Sequence, residues 1–352
     1  MERGAGQPRR RGATGLVKKP RFQKLPLRCV NAGSKRATLY CRGGEFLTLL
    51  LTGKAQISVT APIVFTHGSG GRGPPAGGVW WRMAFRGVAL DDLIIDDDEA
   101  FAALPLYEGL KRTLRASGHR FLVPSGGAAT SWDRTLFLNL TFWSAEEGTD
   151  VLCDDHIPAD VVAHAAWHHV VGRELERSAG RGSRSAAGLF LAESIASAFA
   201  LYLVGRLLSS APDTDFIATQ VPIMQEAAAE AGLSGPGFQT MLQDVCADPE
   251  RAFEDLRALL FDVTTALADC HEAVEASRAL ERYEGHRFAP LLHHYQLSNW
   301  ILYARAYAED TPARVQAVRG FDEQLRRSKA AVTWLAQNWI DSSSAPPQPA
   351  SS

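Results

Sequence analysis

From residue 159 onward, apolar positions recur every three to four residues, the period of a helix with one buried face. The spacing predicts helices over residues 159–177, 185–208, 215–231, 236–245, 249–283, 287–309 and 312–339. Pro158, Pro249 and Pro312 fit first-turn positions, where the missing N–H is no loss. Upstream the pattern is mixed. Residues 101–116 predict a helix closed near Gly118, and 120–123 a short strand. Residues 135–143 (TLFLNLTFW) are rich in residues that suit a pleated, half-buried surface and predict a longer strand. Residues 144–156, with five acids, read as a loop. The fold class is therefore α+β and predominantly helical: a small mixed α/β region over 83–149, then a helical domain over 150–340.

Residues 1–44 show no sustained apolar period, and 67–78 (HGSGGRGPPAGG) are of low complexity. Two short β-like runs, 46–51 and 55–65, lie between them. Charge sharpens the division. Residues 1–82 hold fifteen Lys or Arg against Glu2 and Glu45, about +13, and leave 22 basic and 37 acidic residues, or −15, for the remainder. We read 1–82 as a disordered basic Gly/Pro/Arg-rich leader, or as an extension upstream of a natural start at Met83. Its basic clusters lack aromatic or motif context, so no nucleic-acid partner is expected. The glycine run lacks the Gly-Lys-Ser/Thr ending of a phosphate-binding loop. The Ser/Pro-rich tail 341–352 is expected to be disordered.

Five cysteines stand apart with no CxxC pair, and no signal peptide is visible, which suggests free thiols in a cytoplasmic protein. The segment 185–205 has the length of a membrane span. It is rich in Ala, Ser and Gly, so a buried core helix is the expected state and no membrane partner is expected.

The sharpest chemistry lies on two consecutive helices. Val161, His164, His168, Val171 and Leu175 form one stripe, so two imidazoles one turn apart sit within an apolar face. His169 points about 100° away. On the next helix the only charged residue between Arg184 and Arg206 is Glu193. A lone carboxylate in such a helix is costly unless it is paired or bound to a metal. Two neutral imidazoles and a carboxylate are a common three-ligand set for zinc, with a fourth position open. The open alternatives are a metal-free histidine–carboxylate network that fixes helix register, or residues that never meet.

This arrangement resembles the gluzincin group of zincin-like metallopeptidases. That family carries His-Glu-x-x-His on one helix and a glutamate on the next. Here the run is His164-Ala165-Ala166-Trp167-His168, followed by Glu193 after 24 intervening residues. The resemblance implies His164, His168 and Glu193 as zinc ligands, with 135–143 as the strand beside the active helix. It also implies a peptide or small-molecule substrate, and an oxyanion-stabilising role for His293 or Tyr303. The family's general base, however, is Ala165 here. An inactive relative, or a hydrolase with another base, is therefore expected. The rival readings are a helical non-haem metal oxygenase with iron and a non-enzymatic helical interaction protein.

Other residues have plainer explanations. His156 reads as a loop histidine rather than a fourth ligand. Asp160 is either an acceptor orienting His164 or a first-turn acid favoured by the helix dipole. His286, His293, Trp300 and Tyr307 recur every seven residues and read as a core stripe. His271 and Glu272 read as surface.

Overall fold

The computed structural model describes residues 85–97, 99–124, 150, 152, 155–182 and 185–340. The expected strand at 135–143, the leader and the tail lie outside the described residues. Two small two-stranded sheets open the described chain. Strand β1 (Phe85–Ala89) pairs antiparallel with β3 (Arg120–Pro124), and β2 (Ile94–Asp96) pairs parallel with β4 (His156–Pro158). Three acids of the run 91–99 are engaged: Asp91 accepts from Arg115 at 2.7 Å, Asp97 pairs with Lys111, and Asp96 faces His156 at 3.0 Å.

The single helix expected at 101–116 is two, α1 (Glu99–Ala102) and α2 (Pro105–Ser117). Pro105 has no N–H to continue a helix, so it begins a new one at the first helical position. Gly118 closes α2 with φ 68°, a left-handed conformation that glycine adopts without steric cost.

The remainder is helical, as the apolar period requires. Helix α3 spans Ala159–Ala179, α4 Ala186–Leu207, α5 Asp215–Glu230, α6 Gly235–Ala247 and α7 Pro249–Ala268. Then come α8 (Ala273–Glu281), a 3₁₀ turn (Ala289–Tyr295), α9 (Leu297–Tyr307), α10 (Pro312–Arg327) and α11 (Ala331–Leu335), which runs into a π-helical turn (Ala336–Ile340). Capping fixes several starts. Ser185, Thr214, Ser234, Asp248 and Thr311 each accept a hydrogen bond from the backbone N–H three residues on. Pro249 and Pro312 occupy first turns, whereas Pro158 stands one place earlier, at the cap of α3.

Three long predicted helices are interrupted. The 249–283 run breaks at residues 269–272, where the Glu275 carboxylate accepts from the amides of His271 and Glu272 and starts α8 afresh. The 287–309 run breaks at Gln296, which takes φ 47°. The 312–339 run breaks after Arg327. There Glu250 of α7 accepts from Val332 N at 2.8 Å and Thr333 N at 3.1 Å, at the start of α11.

Helix α4 is central and packs against α3, α6, α7, α9 and α10. It is the one helix among the described residues long and apolar enough to cross a membrane, yet 72% of its apolar window is buried inside the fold. Close approach depends on two of its glycines. A Cβ at Gly205 would lie 2.7 Å from the Val245 carbonyl oxygen, and one at Gly188 would lie 3.0 Å from Leu175 Cδ1 on α3. Gly188 thus lets α3 and α4 close together near one end, with His168 and Glu193 further along the same antiparallel seam.

Candidate metal centre

Strand β4 runs directly into α3, and its Ile157 is fully buried, so the start of α3 is anchored to the small parallel sheet. Along α3 the fully buried positions are Val162, Ala163, Ala166, Trp167, Val170 and Val171. His164 and His168 lie at the edge of that face. Their side chains retain 42% and 31% exposure, against 18% for Glu193 across the seam. The trio is partly buried, because the histidine stripe borders the core stripe.

The three residues do meet. His164 Nε2 and His168 Nε2 are 3.1 Å apart. Glu193 turns one oxygen to each ring, Oε2 at 3.6 Å from His164 and Oε1 at 3.6 Å from His168. Hydrogen bonds to a charged acceptor are shorter than this, so the carboxylate is not saturated by its neighbours. Two bonds of about 2.0–2.1 Å at the tetrahedral angle end about 3.3 Å apart. The two Nε2 atoms lie near that edge length, and one ligand atom from each of the three residues lies within 4.8 Å of the others. Among the described residues this is the one group of His, Cys, Asp or Glu close enough to hold a metal ion.

Electrostatics make the two rings unequal. Burial lowers the His164 pKa, but the adjacent Glu193 carboxylate raises it more, and the net shift is upward. For His168 burial prevails over Glu193 and the net shift is downward. Burial pushes the Glu193 carboxyl up, while His168 and His164 pull it down, and the imidazoles win. At 3.1 Å the two Nε2 atoms can share one proton, with donor and acceptor set by the tautomers. A divalent cation would take that proton's place.

The neighbouring residues sort clearly. His156 sits on β4 rather than in the expected loop, faces Asp96, and is not part of the trio. Asp160 accepts backbone N–H bonds in the first turn of α3, and Gln220 Nε2 lies 3.4 Å from its Oδ2, which matches the first-turn reading. His293 is exposed on the 3₁₀ turn, and the break at Gln296 divides the expected seven-residue stripe. His271 and Glu272 are exposed. Ala165 is 3% exposed and belongs to the core, so the position after His164 turns inward.

A second polar chain flanks the trio, and the residue pattern does not mark it. His169 Nε2 lies 2.9 Å from His119 Nδ1, and His119 Nε2 lies 3.1 Å from Asp150 Oδ2, off the ideal hydrogen-bond direction. Hydrogen bonds from Leu122 N to the Asp150 carbonyl and from Leu152 N to the Leu122 carbonyl set Asp150 beside β3. Nothing local distinguishes His119 in the sequence. Only the packing of α2 on α3 delivers it to His169.

No protein-family model, no curated protein and no solved structure matches this chain.

Proposed function

We propose that this chain is a zincin-like metal-binding protein, an atypical metallohydrolase that holds one divalent ion with His164, His168 and Glu193. The observation that carries the reading is the convergence of two Nε2 atoms and a carboxylate at 3.1–3.6 Å. Three supports accompany it. The ligand set is common for zinc, and three protein ligands leave a position for water or substrate. The trio is only partly buried, so its ligand atoms are not sealed within the core. The glutamate is otherwise paired only with titratable rings, so a cation relieves its burial. The substrate is a peptide or another small hydrolysable molecule.

Iron is the second reading. Two histidines and one carboxylate also form the ligand face of non-haem iron oxygenases. A two-iron site would need further carboxylates, and among the described residues no second group accompanies the trio.

Elemental analysis of the purified full chain tests these readings. One zinc per chain is expected, lost in His164→Ala and in Glu193→Ala. Stoichiometric iron would favour the oxygenase reading. No metal, with no zinc taken up on titration, would leave a helical interaction protein whose trio only fixes helix register.

A further inference from the structure

Past the last described residue, Ile340, residues 345–350 read Ala-Pro-Pro-Gln-Pro-Ala. Proline holds φ near about −65° and carries no N–H, so such a run favours an extended left-handed helix with three residues per turn. Pro346 and Pro349 fall on one face of that helix. Segments of this kind bind by laying such a face into an aromatic-lined groove, at low cost in entropy.

The fold carries a groove of this kind beside the point where the chain leaves it. Its volume is about 460 Å³, within the range of about 300–1,000 Å³ for ligand sites. Ser178 of α3, Ala317, Gly320, Phe321 and Gln324 of α10, and Trp334 of α11 line it. Ala317, Phe321 and Trp334 are partly buried against the core. Ser178 and Gln324 are exposed, and both can donate to the outward carbonyls of a proline helix. Gly320 lies inside α10, where glycine weakens a helix, and a Cβ there would meet nothing within 4 Å. Packing does not call for glycine at that position, whereas a clear groove does. Trp339 fixes the exit of the chain next to these rings. Its ring centroid lies 5.0 Å from that of Phe321 and 5.7 Å from that of Trp334, and its carbonyl accepts from Arg173 of α3. Residues 341–345 span about 16–18 Å when extended, enough to lead the proline run back over rings so close.

We propose that the chain's own tail occupies this groove, with Pro346 and Pro349 against Phe321 and Trp334. The seat goes beyond the metal reading and does not rest on it.

The test uses full-length chains and a fluorescein-labelled peptide of residues 341–352, with binding read by anisotropy. In a released variant, Pro346→Ala/Pro347→Ala/Pro349→Ala, the tail loses its proline face and the groove is freed. This variant should bind the peptide saturably, and the wild type at least about tenfold more weakly, because a short tether presents its own tail at a millimolar effective concentration. Adding Gly320→Gln to the released variant should weaken binding at least about tenfold, since the new side chain enters open space in the groove. No binding by the released variant up to about 1 mM peptide overturns the proposal, because the tether would not hold the tail either. Equal binding by wild type and released variant overturns it too, as the groove would then stand free for an outside segment. Undiminished binding after Gly320→Gln places the peptide elsewhere and also overturns it. A wild-type dimer in sedimentation that dissociates in the released variant replaces this chain's tail with that of a second copy. Should Gly320→Gln fail to fold, Trp334→Ala in the released variant is judged by the same loss.

Discussion

Glu193 and Glu254 are helix carboxylates of similar side-chain exposure, 18% and 13%, with different partners. Glu254 on α7 receives two hydrogen bonds from Arg257, at 2.8 and 2.6 Å. Arg257 is fully buried and also reaches Asp322 of α10 at 2.8 Å, and Arg326 ties Asp322 to Asp262. That network is held by permanent cations. Glu193 faces two imidazoles at 3.6 Å, groups that hold no fixed charge. Similar burial thus yields a structural clamp where the partner is arginine, and a group that could hold an outside cation where the partners are histidines.

The comparison breaks most visibly at Arg257. Arg257→Ala leaves Glu254 and Asp322 without their shared cation, and unfolding free energy should fall by about 3–5 kcal/mol in chemical denaturation. A loss within experimental error would mean the network is not a clamp. Glu193→Gln should behave in the opposite way. Apo stability should change by less than about 1 kcal/mol, while zinc affinity, followed by competition with a chromophoric chelator, falls by more than about 100-fold. Equal behaviour of the two variants would erase the distinction.

The smallest expected effect is a pH dependence beside the centre. Burial, with help from His119 and His168, holds the His169 imidazole down at about 4. An unfolded histidine titrates near 6.5, so the unfolded chain takes up this proton first. The stability it contributes is complete above about pH 6.5 and is lost as pH falls towards about 4. His164, shifted upward, acts in the other sense in the apo protein: its contribution is complete below its unfolded value and is lost as pH rises through the folded one. In thermal melts, His169→Gln should flatten the decline between about pH 6.5 and 4 by roughly 1–3 kcal/mol. An unchanged acid limb would show that His169 is protonated as easily in the fold as in the open chain.

Much of this was legible in the residues. The 3.6-residue period locates α3 and α4 within two residues at each end, since long amphipathic or wholly apolar segments leave few alternatives. His164, His168 and Glu193 stand out as polar exceptions in those segments. The breaks at 269–272, Gln296 and Arg327 were not legible, because apolar spacing continues across them. A side chain that caps a new helix, or a residue that turns left-handed, interrupts only the backbone.

Sequence alone thus determined the helical class, the order of the long helices and the three residues able to share an ion. Those follow from local periodicity and from the cost of isolated polar groups in apolar helices. Tertiary structure decided the rest. It brought Glu193 within 3.6 Å of both rings, left the trio partly buried, turned Ala165 inward, and carried His119 to His169 of α3 and Asp150 to His119. Each of these depends on how separate elements pack, through close approaches such as that at Gly188 and contacts between residues far apart in the chain.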